Sequence, residues 1–128
     1  MSARRILLIE DNAVNRRLAQ FLLKSQGYEV WEVTSAPEAF EALKERRPDL
    51  ILMDVQLPGM DGLTATRQLK ADPDTRDIPV LAVTSYAMKG DEAKALAAGC
   101  SGYVTKPIDK TVFLHAVAEA LGRGGGKP

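Results

Sequence analysis

The 128-residue chain contains one cysteine, one histidine and one tryptophan, and aromatic residues make up only 5% of it. A single cysteine cannot form an internal disulfide, and one histidine beside it leaves no thiolate or imidazole set for a structural zinc. Net charge is absent as well, since 17 Lys and Arg balance 17 Asp and Glu. This excludes the broad basic face of a nonspecific nucleic-acid binder and the polybasic attraction to anionic lipid, so any charge-based function must be local. No apolar run approaches the ~20 residues of a membrane span. The opening MSARRILLIEDN turns acidic after four apolar residues, too soon for a signal peptide. A soluble, cytoplasmic protein of one compact domain is the expectation.

What is present is a five-fold alternation of short apolar runs and amphipathic stretches. Arg5 to Ile9 reads as a strand buried on both faces and stops at Glu10 and Asp11. Val14, Leu18, Phe21 and Leu22 then form a helical stripe with Arg16, Arg17, Gln20 and Lys24 off it, and Gly27 is placed to close the helix. Strand two covers roughly Glu29 to Thr34. Ser35 and Glu38 have capping-box spacing for a second helix, whose apolar face is Ala36, Ala39, Phe40 and Leu43. Leu50 to Met53 is strand three. A thin stripe from Leu63 to about Ala71 gives helix three, and Pro79 to Val83 is strand four, ending at Thr84.

Asp91 to Ala98, closed by Gly99, is helix four, and Gly102 to Thr105 is strand five, ending at Lys106. Asp109 can cap a last helix carrying Val112, Phe113, Ala116, Val117 and Ala120 and closed by Gly122, which leaves residues 122–128 as a flexible tail. Strands this short with connections this long require parallel pairing through right-handed crossovers. The fold class is therefore α/β: a doubly wound, flavodoxin-like five-stranded parallel sheet with five helices. By analogy with that class, the strand order is 2-1-3-4-5 and the ligand site lies beyond the carboxyl ends of strands one and three.

Glu10, Asp11, Asp54, Thr84 and Lys106 all fall at those strand ends. Crowded carboxylates raise one another's pKa unless a positive charge sits among them, and Mg²⁺ suits a set of acids, a carbonyl and waters. A carboxylate beside Mg²⁺ can attack phosphorus, with Lys106 and Thr84 supplying a charge and a hydrogen bond to the phosphoryl oxygens. Singly, the acids also suit ordinary helix-start and turn roles, Cys100 suits small apolar filling, and His115 suits a helix surface.

The stretches ILLIEDNAVNRRL, PDLILMDVQLPGMDG, IPVLAVTSYAMKGD and GYVTKPID resemble, in order, the signatures of the receiver domain of two-component response regulators (CheY-like) over residues 4–121. EDNAVN, MDVQLPGMDG and AMKGDE are most similar to stand-alone DivK-type single-domain regulators and to the receivers of hybrid histidine kinases. The resemblance implies that Asp54 is the phosphoacceptor, served by a histidine kinase or histidine phosphotransfer protein. It implies Mg²⁺ held by Asp11, Asp54 and the main-chain carbonyl of Gln56, with Glu10 acting through water. Thr84, Ser85 and Lys106 would bind the phosphoryl group, Lys106–Pro107 would be cis, and Thr84 with Tyr103 would form the switch that changes the helix 4–strand 5–helix 5 face. Gln56 and Tyr86 occupy positions that modulate the lifetime of the acyl phosphate.

Glu10 stands where many relatives have Asp, a difference of one methylene that still reaches a metal-bound water. The few residues after Gly122 are too short for a DNA-binding module, so the expectation is a complete, non-enzymatic protein signalling through a downstream protein target, as a monomer or weak dimer. Three other readings are weighed beside it. A phosphohydrolase would want a second Asp where Gln56 stands, a flavodoxin-like nucleotide binder would want a Gly- or Ser-rich loop in place of EDNAVN, and a receiver excised from a hybrid kinase would have GRGGGKP as linker.

Overall fold

The computed structural model describes residues 3–57, 59–85 and 90–123. Five strands alternate with five helices: β1 (Arg5–Ile9), α1 (Ala13–Ser25), β2 (Glu29–Val33), α2 (Ala36–Glu45), β3 (Leu50–Asp54), α3 (Gly62–Ala71), β4 (Val80–Thr84), α4 (Asp91–Ala98), β5 (Gly102–Thr105) and α5 (Lys110–Arg123). All neighbours pair in parallel in the order β2-β1-β3-β4-β5, as the doubly wound reading requires.

The two-residue period of the strands divides the core. Leu7 and Ile9 of β1, with Ile51, Met53, Val80 and Ala82, face the side covered by α2, α3 and α4. Ile6 and Leu8, with Leu50, Leu52, Leu81 and Val104, face α1 and α5 through Leu22, Leu23, Phe113 and Val117. Strands covered on both sides must be apolar at every position. That is why β3 and β4 read as continuous hydrophobic runs and why every residue of both is buried.

Several local details depart from the sequence expectations. The α1 stripe is rotated: Val14, Leu18 and Phe21 are 75%, 40% and 68% exposed, while Ala19, Leu22 and Leu23 are buried. Arg16, on the same arc as Ala19 and Leu23, explains the rotation, because its guanidinium donates to the carbonyls of Glu10 (2.9 Å) and Asp11 (3.4 Å) and meets Glu32 at 3.5 Å. This polar anchor sets the helix face, and the large apolar trio turns outward.

The capping box forms in its Ser35 half, where Oγ accepts from the Glu38 N–H at 3.3 Å, while Glu38 accepts from the backbone N–H of Thr34 at 2.6 Å and from the Thr34 hydroxyl at 2.9 Å in place of the Ser35 N–H. Gly122 does not end α5, which continues to Arg123. Val112 lies on the exposed side of that helix, at 58% exposure. Asp54 is itself the last residue of β3, one residue beyond the expected Leu50–Met53 run. Cys100 fills space in the α3/α4 face of the core and is buried.

Gly62 opens α3 directly behind Asp54. A Cβ there would lie 2.4 Å from the Asp54 carbonyl oxygen, 2.9 Å from Met53 Cγ and 2.9 Å from Val55 Cα, and two of these three are backbone atoms that cannot turn aside. Gly62→Ala is therefore expected to destabilise the protein by about 2–3 kcal/mol despite the better helix propensity of alanine. Urea unfolding measures this, and a variant as stable as the parent would contradict the packing.

Candidate functional site

Strand pairing builds the site. Ile9 lies level with Met53, so the residues that follow, Glu10 and Asp54, emerge side by side at the carboxyl ends of two central strands. Both are buried, at 4% and 3% exposure, and Thr84 at the end of β4 is 2% exposed. Glu10 stays in the sheet ladder through its N–H, which donates to the Val33 carbonyl at 3.1 Å. Asp11 is exposed at the mouth. Carboxylate oxygens of Glu10, Asp11 and Asp54 lie within 4.8 Å of one another.

Lys106 enters from beyond β5. Its backbone N–H donates to the Thr84 carbonyl at 2.7 Å, and the Lys106–Pro107 peptide is cis. The ammonium reaches 2.9 Å from Glu10 Oε1 and 3.4 Å from Asp54 Oδ2. Burial pushes Asp54 from an ordinary 3.8 up to about 7, aided by the charge of Glu10 and a hydrogen bond between the two carboxyls. Lys106 and the Gln56 N–H, which donates to Asp54 Oδ1 at 3.0 Å, pull the other way and do not cancel the effect.

Gln56 makes further contacts through its side chain. Its Nε2 donates to Thr84 Oγ1, and its Oε1 accepts from the backbone N–H of Ser85 at 3.1 Å. Glu10, Asp11, Asp54 and Lys106 thus form one cluster, with Thr84 and Ser85 joined to it through Gln56. Tyr103 is set apart, half-buried beside a gap of about 260 Å³ that Gln56, Leu63, Thr84 and Ala95 also line. Its hydroxyl pKa is raised by partial burial and by the charges of Asp91 and Glu92. Tyr86 lies outside the described residues. His115 is exposed on α5, 3.9 Å from Glu119.

Sequence reasoning missed three supporting groups: Arg16, Asn12 and the Gln56 carboxamide. Arg16 holds the carbonyls of the acidic loop, and Asn12 donates its N–H to Glu10 Oε2 at 3.1 Å while capping α1. The usable signal was a cation one turn inside a helix that follows two acids.

The response regulator receiver domain profile matches residues 6–118. The chain belongs to this family. The receiver is 44% identical over 117 residues to the polar-differentiation response regulator DivK of Brucella anthropi, covering 91% of this chain and 95% of that protein. DivK of Brucella ovis matches with the same figures.

Among solved structures, a response regulator of Chloroflexus aurantiacus superposes with a TM-score of 0.91 at 27% identity, over 95% of this chain and all of that one. The receiver domain of a sensor histidine kinase of Pseudomonas aeruginosa, which has a magnesium ion coordinated in its active-site cleft, gives 0.85 at 36% identity over 94% and 99%. The receiver is thus a component of two-component signalling. Among its described residues no helix is long and apolar enough to cross a membrane.

The cluster's chemistry suits a hard divalent cation. Its donors are carboxylate oxygens only, and three carboxylates against the Lys106 ammonium leave a formal charge of −2. Because folding raises the Asp54 pKa, the associated stability is present below its ordinary value and is lost as pH rises through about 7. Asp54→Asn without divalent ions is therefore expected to be more stable than the parent at pH 8, by about 2 kcal/mol, with the difference shrinking towards pH 5. Urea melts at the two pH values check this. Mg²⁺ titrations should show affinity weakening as pH falls through 7, where the proton competes.

Proposed function

We propose that the receiver is a phosphorylation-controlled interaction module, covering about residues 4–121, in which Asp54 is the phosphoacceptor. The observation that carries this reading is the cluster of three carboxylate oxygens within 4.8 Å, with the Lys106 ammonium 3.4 Å from Asp54. An Asp54 oxygen attacks the phosphorus of a phosphohistidine on a histidine kinase or histidine phosphotransfer protein. The P–N bond breaks, histidine leaves, and a mixed anhydride forms on Asp54. No general base is needed once Asp54 is ionised, a form that a bound cation would favour, because the carboxylate itself is the nucleophile.

Asp11, Asp54 and the Gln56 main-chain carbonyl would hold Mg²⁺, with Glu10 acting through water, and the ion would supply charge that neutralises the phosphoryl oxygens. Lys106 adds a second positive charge, while Thr84 and the Ser85 N–H add hydrogen bonds. A multiple-turnover phosphohydrolase has less support, since Gln56 carries a carboxamide that cannot exchange a proton where that chemistry wants a second acid.

Output follows from Thr84 and Tyr103. A Thr84 hydroxyl drawn towards phosphate makes room for the Tyr103 ring to turn into the 260 Å³ gap beside it. Tyr103 also borders a groove of about 350 Å³ between α4 and α5, lined by Leu96, Ala116 and Glu119 among others. Its movement therefore reshapes the α4–β5–α5 face for a cytoplasmic protein target. The receiver works as a monomer or weak dimer, and its reaction is confined to its own phosphorylation and slow dephosphorylation.

Incubated with acetyl phosphate and Mg²⁺, the wild-type protein should acquire a hydroxylamine-labile phosphate at Asp54, and Asp54→Asn should acquire none there. Retention of that phosphate by the variant would overturn the assignment. Lys106→Ala is expected to be phosphorylated at least about tenfold more slowly, because a charge on the transferring group is lost. Wild-type kinetics together with wild-type amide shifts around Tyr103 would remove Lys106 from the mechanism.

A further inference from the structure

We propose that the Gln56 carboxamide is a latch on the switch. It holds the Thr84 hydroxyl and the Ser85 amide in the resting protein, and it must release both before they can turn to a phosphoryl group on Asp54. This inference rests on the phosphoacceptor reading and adds a positioning residue to it. In sequence Gln56 was singled out for its carbonyl, for standing where a phosphohydrolase wants a second acid, and for a position that modulates the lifetime of the acyl phosphate, with no resting contact of its carboxamide foreseen.

The geometry is that of a two-point clamp. Gln56 Nε2 donates to Thr84 Oγ1, 28 residues away in sequence, and Gln56 Oε1 accepts from Ser85 N–H at 3.1 Å, 29 residues away. A carboxamide is matched to this task because it offers one donor and one acceptor side by side, as the paired hydroxyl oxygen and N–H require. The same residue donates its backbone N–H to Asp54 Oδ1 at 3.0 Å. The clamp is thus tied at one end to the acceptor carboxylate and at the other to the two groups proposed to bind the incoming phosphoryl oxygens.

Those two groups cannot serve the clamp and the phosphoryl group with full hydrogen-bond geometry at once. Thr84 is almost fully buried, at 2% exposure, so its hydroxyl has little room to satisfy both by bending. Phosphoryl capture therefore runs against the clamp, and Gln56 sets how much of the unphosphorylated protein already resembles the switched form.

Removing the clamp should improve capture. Gln56→Met keeps the length of the side chain and removes both hydrogen bonds, and Gln56→Ala serves as a second variant in case methionine packs poorly. Beryllofluoride with Mg²⁺, titrated into the full chain and followed by amide chemical shifts, should bind both variants with an apparent Kd about three- to tenfold lower than wild type, the scale of one net hydrogen bond. The Ser85 amide of the ligand-free variants should exchange with solvent deuterium faster than in wild type.

A general loss of structure would weaken binding, so tighter binding is diagnostic of a latch. Unchanged or weaker affinity in both variants, with normal binding by wild type, would overturn the latch alone. Absence of Asp54-dependent binding by wild type would overturn the phosphoacceptor reading and the latch together.

Discussion

Two carboxylates, Glu10 and Asp54, are buried side by side at the ends of adjacent strands, and one ammonium, Lys106, stands between them. Taking a charge out of water costs several kcal/mol unless it is paired, and here two negative groups share one positive partner. The protein accommodates this in two ways. Asp54 holds its proton to about pH 7, and backbone donors are spent on the acids, Asn12 N–H on Glu10 and Gln56 N–H on Asp54. The site is therefore under electrostatic tension in the resting chain, and anything that adds positive charge at the mouth relieves it. A fold selected only for stability would place apolar residues at both positions.

The rest of the architecture serves to hold that arrangement. Adjacency of β1 and β3 sets the two acids level, while Thr84, opposite Thr105, lies one residue further along and Lys106 two. The rim is slanted, which is why the most distant member needs the longest side chain. Gly62 lets α3 start against the Asp54 backbone, so β3 is pinned from behind by a helix it nearly touches. Arg16 performs the matching task for the β1–α1 loop. Its three contacts draw the carbonyls of Glu10 and Asp11 towards Glu32 on β2 and limit how the acids can spread apart. These groups act on the backbone that carries the clustered side chains, not on the carboxylates themselves.

Much of this was legible in sequence because strand ends are sharply marked. An apolar run that terminates on a charge or hydroxyl shows both where a strand stops and which side chain sits at the rim, and all five runs end that way. The strand order came only by analogy, since parallel pairing leaves no local trace. Reading the α1 face failed for an instructive reason. Hydrophobic periodicity weighs Val14, Leu18 and Phe21 above Ala19, yet the helix takes its rotation from a half-buried polar contact of Arg16 and from a small residue that permits close approach. The Gln56 carboxamide was equally out of reach, because its partners lie 28 and 29 residues away and depend on the β3–β4 register. Gly122, a helix breaker by propensity, is carried within α5, whose neighbours Ala120 and Leu121 are buried in the core.

The helices are not held with equal strength. Asn12, Ser35, Asp61 and Asp109 each accept a backbone N–H in the first turn of α1, α2, α3 and α5. By contrast, α4 starts at Gly90, which has a left-handed conformation and makes no side-chain cap, and it relies on Asp91 and Glu92 against the helix dipole. It has eight residues and buries only Ala95 and Ala98, and Leu96 is 49% exposed. Small buried side chains contribute little hydrophobic stabilisation, so sliding α4 sacrifices less apolar contact than moving α5, which is anchored by Phe113 and Val117. Tyr103 senses the charges of Asp91 and Glu92 at the start of α4 and shares a cavity wall with Thr84. Tyr103 thus joins the wall it shares with Thr84 to the start of α4, a short helix that buries only two alanines and has no side-chain cap.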